Sequence, residues 1–446
     1  MTIINYFHKQ LEKISKRQSL ASLSLCLFAF FISISNSISA IIIIFFFISF
    51  VFSEKKYHRL QHVLKNPINK SILIFFTFIL ISYLWSENNF FFDSLNKYAI
   101  LLIAPFLDLL NFKKEDKKNA FIFFIIGIIF NISYSFFTYI LYEFTIIDKL
   151  FFLKHDHYQN EDFLRGFVDH SSLSIFVSFT VFILICYLFK KTYSKKKIKK
   201  ISLLSLIFIL ILFLLNSYGR TGFFTLIILL PVFLLIKNPK NTKSFIFFSF
   251  LFLLISLNFS SPFKNRLKTT FNFQKDIRTE NEKIEDDALY MMDSLGGELT
   301  YWKEKINNDV AWRDEIIKKQ KNTSMGNRYS IWRKYKMQML ENPLFGKGVG
   351  EIKKMVKEKN IKSPHNCYIL ITFEFGIIGL ILFLNIFYVQ IKTFFVEKKQ
   401  AILKLIFPLF FLLCMIINDY IIIYNTACFF SLFSFLLYSQ EKSKST

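Results

Sequence analysis

The sequence predicts an all-α polytopic membrane protein, with about twelve transmembrane helices and a large, mostly helical loop on the outer side. Three observations support this fold class. Of the 446 residues, 53% are hydrophobic and 60 are phenylalanine, and the mean hydropathy is +0.39. Apolar stretches near the length that crosses a bilayer recur along the whole chain. Basic residues concentrate in alternate connections between these stretches.

Twelve stretches have the length and composition of transmembrane helices. They lie at about 19–35, 37–53, 71–86, 94–111, 120–142, 171–189, 201–216, 221–237, 244–260, 366–390, 401–417 and 419–438. The second stretch follows the first almost at once. We therefore expect the first to act as a signal anchor and not as a cleavable signal peptide.

The distribution of lysine and arginine predicts the orientation of the chain. Twenty-eight of these residues lie in one set of connections, at 1–18, 53–70, 111–119, 190–200, 237–243, 390–400 and 439–446. The alternate short connections contain four, namely Lys149, Lys154, Arg165 and Arg220. Because positive residues favour the cytoplasmic side, both termini are expected to be cytoplasmic. Residues 261–364 are then periplasmic in a Gram-negative cell.

This topology divides the chain into three parts. Residues 1–260 contain helices 1–9, residues 261–364 form the periplasmic loop domain, and residues 365–446 contain helices 10–12 and a cytoplasmic tail. Half of the basic residues behind the net charge of +24 lie in cytoplasmic connections, where they contact anionic lipid. Membrane lipid is therefore an expected partner and nucleic acid is not. The five cysteines have neither metal-site spacing nor the pattern of a disulfide framework.

The periplasmic loop has 104 residues with 22 Lys/Arg and 15 Asp/Glu. Helical patterns at 281–295 and 298–321, separated by a Gly-Gly turn, indicate a scaffold or a lid. A third helical pattern, at 327–340, contains Arg328 and Trp332 and ends at an Asn-Pro pair. Three glycines follow at alternate positions from 346 to 350. A tight turn explains them better than a phosphate-binding loop, which needs a preceding strand and a following Lys-Ser/Thr.

Several polar residues at the predicted outer edge of the membrane are candidates for chemistry. His365 is a candidate for proton transfer, although Pro-His-Asn also begins helices. Arg220 and Arg165 are either ligand-binding groups or snorkelling anchors, and anchors are unusual in the lysine-poor outer connections. Glu374 lies inside a predicted span and should face the bundle, where it pairs with an arginine or transfers a proton. Asp419, near an outer end, is expected to reach water.

A possible metal site is less favoured. His155, Asp156, His157, Glu161 and Asp162 lie together in the connection at 143–170. An exposed acidic turn explains this cluster better than metal binding does.

Together these segments resemble the O-antigen ligase family. The family signature of His-Asn, nine residues and Gly-x-x-Gly is matched by His365-Asn366 and Gly376 to Gly379. The segment 218–223, Tyr-Gly-Arg-Thr-Gly-Phe, is similar to the family's membrane-edge arginine motif. Residues 328–332, followed by 342–348, are similar to its loop arginine helix. The resemblance covers roughly 165–390, and the earlier helices agree only in number and polarity.

The resemblance implies a membrane glycosyltransferase of the bacterial inner membrane. Such enzymes transfer a glycan from undecaprenyl diphosphate to an acceptor hydroxyl, here lipid A–core, without a cofactor or an obligatory metal. It implies that Arg220 and Arg328 bind the diphosphate, with Arg165 in reserve, because guanidinium groups hold phosphate oxygens in bidentate fashion. His365 becomes the general base, and direct displacement inverts the anomeric carbon. Supporting roles fall to Asn366, Glu374 and Trp332.

Three alternatives remain open at this point. An O-antigen polymerase uses a second lipid-linked repeat as acceptor, and a protein O-oligosaccharyltransferase of the same superfamily uses a serine or threonine. A membrane transporter is the alternative from another class. It is disfavoured because the sequence shows neither an inverted repeat nor paired broken helices.

Overall fold

The computed structural model describes residues 20–51, 56–87, 90–110, 112–143, 166–189, 197–217, 219–237, 298–308, 324–358, 361–397 and 401–439. All regular structure in these ranges is helical, as the sequence predicts. The α-helices, in chain order, are α1 (Leu20–Phe31), α2 (Asn36–Val51), α3 (Lys56–Lys65), α4 (Pro67–Ile81), α5 (Phe91–Ala99), α6 (Ile103–Leu109), α7 (Lys114–Glu143), α8 (His170–Leu188), α9 (Lys197–Asn216), α10 (Arg220–Lys237), α11 (Leu299–Asn308), α12 (Ser324–Met339), α13 (Glu351–Lys357), α14 (Cys367–Val396), α15 (Leu403–Ile417) and α16 (Tyr424–Tyr438).

Within these ranges, five helical segments are long and apolar enough to cross a membrane: Pro67–Trp85, Lys114–Ile140, His170–Leu188, Arg220–Lys237 and Cys367–Val396. Shorter apolar helices occur at Leu20–Phe31, Asn36–Val51, Lys200–Asn216, Leu403–Ile417 and Tyr424–Tyr438. The described residues are therefore all-helical, and their long apolar helices indicate a membrane protein. These ten helices occupy ten of the twelve stretches predicted as spans, although their ends differ by several residues.

The two other predicted spans differ in outcome. The stretch 94–111 does not form one continuous α-helix, because a 3₁₀ turn at Ile100–Leu102 separates α5 from α6. The stretch 244–260 lies outside the described residues. In the predicted loop, α12 confirms the helical pattern at 327–340, and α11 covers the first part of the pattern at 298–321. The pattern at 281–295 also lies outside the described residues.

Phenylalanine side chains fill the centre of the helical bundle. Phe179 of α8 lies 5.4 Å from Phe407 of α15 and 5.1 Å from Phe433 of α16, measured between ring centroids. Phe429 of α16 lies 4.6 Å from Phe433. Edge-to-face and tilted ring pairs of this kind stabilise a core beyond the burial of their area. This packing holds α8, α15 and α16 together.

Two glycines bring the start of α10 against α8. A Cβ atom at Gly219 would lie 2.3 Å from the backbone oxygen of His170, and one at Gly222 would lie 2.1 Å from that of Ser174. The backbone N–H of Gly222 also donates to the Ser174 hydroxyl, at 3.3 Å. The glycines near Arg220 therefore allow α10 to pack closely against α8. This packing fixes the position of the Arg220 backbone relative to α8.

Helix α14 is broken at Gly376, which has φ 64° and ψ −167°. The loop after α12 occupies the break. The N–H groups of Ile377 and Ile378 donate to the carbonyls of Pro343 and Leu344, at 2.9 and 3.2 Å. Irregular backbone within a membrane helix requires such partners, because lipid supplies none. The break is thus satisfied by the chain itself.

The same loop also satisfies the carbonyl groups on the other side of the break. The N–H groups of Lys347 and Gly348 donate to the carbonyls of Phe373 and Glu374, at 3.0 and 2.8 Å. Gly346 and Gly348 have φ values of 70° and 92°, in the region that favours glycine. The loop and α14 therefore form one hydrogen-bonded unit that fixes the end of α12 to the helix that follows His365.

Candidate active site

His365 lies immediately before α14, in a backbone conformation that is uncommon for its residue type. Its φ is 48°, and it is the one residue other than glycine with a positive φ among the described residues. The next residue, Asn366, is the N-cap of α14 and accepts from the N–H groups of Tyr368 and Ile369, at 3.0 and 3.1 Å. A positive φ directly before a well-formed cap supports the hypothesis that the His365 side chain is held in place for function.

Helix α12 holds the segment that leads to His365. The indole Nε1 of Trp332 donates to the carbonyl of Pro364, at 2.6 Å. The hydroxyl of Tyr335 donates to the carbonyl of Lys362, at 3.2 Å, and its ring packs edge-on against Phe373 with centroids 5.0 Å apart. Trp332, which the sequence offers as a supporting residue, thus contacts the backbone directly before His365.

The connection between α15 and α16 supplies the residues that face His365. The Oδ1 atom of Asn418 lies 3.2 Å from Nδ1 of His365. Asp419 is 6% exposed and its Oδ2 atom accepts from the Ser363 hydroxyl, at 2.6 Å. The expectation that Asp419 reaches water is therefore wrong: helix packing buries it beside the His365 segment.

Electrostatics link Asp419 to two of the predicted site residues. Burial raises the pKa of the Asp419 carboxyl, and the Ser363 hydroxyl and the charge of His365 act in the opposite direction. Burial lowers the pKa of Arg328, and Tyr420 and Asp419 act in the opposite direction. An arginine nevertheless keeps its charge. Asp419 therefore interacts electrostatically with both Arg328 and His365.

Tyr420 connects this cluster to the start of α10. Its hydroxyl donates to Oγ1 of Thr221, at 2.9 Å, and the Asn418 side chain is hydrogen-bonded to it. Thr221 directly follows Arg220. The structure thus links the His365 segment, α12 and the arginine-bearing end of α10 through residues 418–420. Arg165 lies outside the described residues.

Glu374, the remaining predicted residue, has a different environment. It is 2% exposed, and its Oε2 atom accepts from the Tyr98 hydroxyl, at 2.6 Å. Its Oε1 atom accepts from the N–H groups of Gly350 and Ile352, at 3.0 and 3.2 Å. Among the described residues its hydrogen-bond partners are thus a tyrosine, the glycine loop at 346–350 and the start of α13, and not an arginine. These contacts give Glu374 a role in holding the loop.

These contacts also decide between the two interpretations of the glycine loop. Its N–H groups at 347, 348 and 350 are bound to α14, and that of Val349 lies 3.3 Å from the Ser82 hydroxyl. A phosphate-binding loop needs N–H groups directed at the ligand. The turn that the sequence favours is confirmed.

A cavity of about 250 Å³ opens beside the His365 segment. Its lining includes Ser363, Tyr98, Glu374 and the lysines Lys97 and Lys353. Because Ser363 also binds Asp419, the cavity lies next to the polar cluster. Within the described ranges, no group of three or more His, Cys, Asp or Glu side chains is arranged to hold a metal ion. The predicted alternative metal cluster at 155–162 lies outside these ranges.

The sequence contains only a weak signal for the residues that face His365 from the connection between α15 and α16. Asn418, Asp419 and Tyr420 form a polar interruption between two apolar stretches. Such an interruption looks like an ordinary connection. Only the packing of α15 and α16 against α14 places it beside His365.

Comparison with known proteins agrees with the motifs. Residues 204–384 match the family model described as O-antigen ligase, whereas no curated protein that was compared matches the chain. Members of this family are glycosyltransferase-like enzymes that act on lipid-linked glycans and lipid acceptors. The match confirms the resemblance to the O-antigen ligase family, and it covers every residue of the predicted site except Arg165.

Proposed function

We propose that the protein is an O-antigen ligase, which transfers a glycan from undecaprenyl diphosphate to a sugar hydroxyl of lipid A–core. The observation that carries this proposal is the convergence of His365, Arg328 and the Arg220 end of α10 on residues 418–420. These three motifs are far apart in sequence. A base and two cations near one cluster are what glycan transfer from a diphosphate requires, and this supports the proposal.

The arginines are assigned to the leaving group. As the bond between the anomeric carbon and the diphosphate oxygen breaks, negative charge develops on that oxygen. Arg220 and Arg328 hold the diphosphate and stabilise this charge, with Arg165 as a third candidate. Partial burial of Arg328 strengthens the interaction, because a charge acts over a longer range where water is excluded.

His365 is assigned to the acceptor. Because Oδ1 of Asn418 can only accept, Nδ1 of His365 carries the hydrogen and Nε2 keeps a lone pair. Nε2 takes the proton of the acceptor hydroxyl while its oxygen forms the new bond to the anomeric carbon. Undecaprenyl diphosphate leaves, and a single displacement inverts the anomeric carbon. Neither a cofactor nor an obligatory metal enters this scheme, and Asn366 and Trp332 position the histidine.

The proposed setting is the inner membrane of a Gram-negative bacterium. We infer twelve spans, cytoplasmic termini and a periplasmic loop domain at 261–364 between helices 1–9 and 10–12. The basic connections favour this orientation, and it places the cluster at the outer side, where flipped lipid-linked glycans are found. Membrane lipid is the remaining partner.

The decisive experiment is deletion of the gene, followed by gel analysis of lipopolysaccharide. We expect core without O-antigen, with polymer retained on the undecaprenyl carrier. Core that carries a single repeat would instead identify a polymerase. Normal lipopolysaccharide with unglycosylated periplasmic protein would identify a protein O-oligosaccharyltransferase. Complementation by the wild-type gene, but not by a His365→Ala variant, would tie the phenotype to the proposed site.

The break in α14 does not support a transporter. The groups freed at the break in α14 bind the loop at 343–348. In a transporter such freed groups are available to the substrate or the coupling ion.

A further inference from the structure

A second, larger groove lies at the far end of α12, away from His365. It has a volume of about 860 Å³, within the range of about 300–1,000 Å³ typical of ligand pockets. Its lining comes from the turn after α4, the end of α12, the glycine loop and α13. We call it the Trp85 groove, after the residue that forms its aromatic wall; it is lined also by Gln338, Glu341, Asn342, Phe345 and Lys347.

The groove combines an aromatic surface with planar polar groups. The rings of Trp85 and Phe345 lie edge-to-face with centroids 5.7 Å apart. The Trp85 side chain itself is only partly buried, so part of its surface faces the groove. Amides at Gln338 and Asn342 supply donors and acceptors. Sugar rings need this combination, because their C–H faces pack on aromatic rings and their hydroxyls bind carboxylates and amides.

The charges of the groove disfavour a phosphate ligand. Lys347 forms an ion pair with Glu341, and Nζ of Lys354 lies 3.7 Å from Oε1 of Glu351. Glu87 adds a third carboxylate to the lining. The lysine charges are therefore balanced within the groove. This charge balance distinguishes the Trp85 groove from the proposed diphosphate site at Arg220 and Arg328, where an anion would bind.

The groove has a fixed position relative to the proposed reaction. Arg328 and Gln338 lie ten residues apart on α12, or about 15 Å at a rise of 1.5 Å per residue. Phe345 and Lys347 belong to the loop that is hydrogen-bonded into α14, the helix that follows His365. A chain of several sugars extends over such a distance. We propose that the Trp85 groove binds an uncharged part of a glycan substrate, several sugars away from the bond that forms.

This inference rests on the proposed function, and binding measurements separate the two. The probes are the donor glycan and the core oligosaccharide, each released from its lipid and titrated calorimetrically into the full-length protein in detergent. We expect one of them to bind, and which one binds identifies the source of the saccharide. Gln338→Trp, which fills the groove, should abolish binding. Lys336→Trp, on the exposed face of the same helix, should not. Inorganic diphosphate should not compete.

Transfer kinetics give the second readout. In Gln338→Ala and Asn342→Ala we expect KM for the bound substrate to rise about five-fold for the lost hydrogen bond, with kcat unchanged. A merely structural role would lower kcat or protein yield without this split. Saccharide binding that persists in Gln338→Trp, or competition by diphosphate, would overturn the inference. Groove-dependent binding by a protein that performs no transfer would instead overturn the proposed function.

Discussion

Nδ1 of His365 lies 3.2 Å from Oδ1 of Asn418, although the two residues are 53 positions apart in the sequence. In the proposed mechanism this contact places the hydrogen on Nδ1 and leaves Nε2 for the acceptor hydroxyl. It also begins a polar path from Asn418 to Tyr420 and on to Thr221, beside Arg220. The proposed base and one proposed diphosphate ligand thus depend on the same short connection.

The first prediction concerns the two arginines. Lysine cannot form the bidentate contact that guanidinium makes with phosphate oxygens. In Arg220→Lys and Arg328→Lys, transfer should therefore fall roughly ten-fold or more, about 1.4 kcal/mol or above in the barrier. The measurement is the initial rate with lipid-linked glycan, normalised to protein level. Arg333→Lys, an exposed arginine of α12, is the matched control. Full activity in both variants would make Arg220 and Arg328 membrane anchors.

The second prediction concerns the break in α14. A Cβ atom at Gly376 would lie 2.2 Å from the carbonyl oxygen of Leu344, in a positive-φ conformation. Gly376→Ala should destabilise the folded protein by at least about 1–3 kcal/mol and lower its melting temperature in detergent. Ile381→Ala, whose side chain is 61% exposed on the same helix, is the control. An unchanged melting temperature would show that the loop is not seated in the break.

The third prediction concerns topology. A periplasmic reporter fused at residue 300 should be active, whereas fusions at 195 and 446 should report the cytoplasm. The physical reason is the concentration of basic residues in alternate connections. A cytoplasmic signal at residue 300 would contradict the proposed function, because flipped lipid-linked glycans lie on the periplasmic side of the membrane.

Sequence patterns predicted much of this architecture, and the limits have a physical origin. The helical class, ten of the apolar helices and α12 follow from composition and periodicity, which act locally. His365, Arg220 and Arg328 are candidates because each lies in a short motif. Asp419 was misjudged, because its burial depends on α15 and α16 packing against α14. The partners of Glu374 were also unpredictable, since Tyr98 and Gly350 are distant in sequence.

The fourth prediction concerns Asp419. Its Oδ2 atom accepts from the hydroxyl of Ser363, two residues before His365. A neutral amide forms a weaker hydrogen bond than a carboxylate. Asp419→Asn should therefore loosen the His365 segment and lower kcat/KM of transfer about five-fold, or about 1 kcal/mol. Glu358→Gln, an exposed carboxylate just before the same segment, should leave the rate unchanged. An unchanged rate in Asp419→Asn would separate Asp419 from the reaction.

Stability provides the control for this variant. Burial raises the pKa of Asp419 in the folded protein. As the pH rises from the unfolded to the folded pKa, the unfolded state binds fewer protons than the folded state, and the stability of the wild type decreases. Asparagine has no such titration. Over this pH interval, the melting temperature of Asp419→Asn should therefore decrease no more steeply than that of the wild type. If it does not decrease more steeply, a change in the transfer rate of this variant is not caused by unfolding.

The fifth prediction concerns His365 itself. A general base contributes about 10²–10⁴-fold to a rate, so His365→Ala should nearly abolish transfer while membrane insertion and protein level stay normal. His365→Gln distinguishes proton transfer from positioning, because glutamine keeps a hydrogen-bonding group but cannot take a proton at neutral pH. Both variants should still bind undecaprenyl diphosphate, which is assigned to the arginines. With purified enzyme in EDTA, near-normal turnover by His365→Gln would reduce the histidine to a positioning residue and leave the base to be found elsewhere.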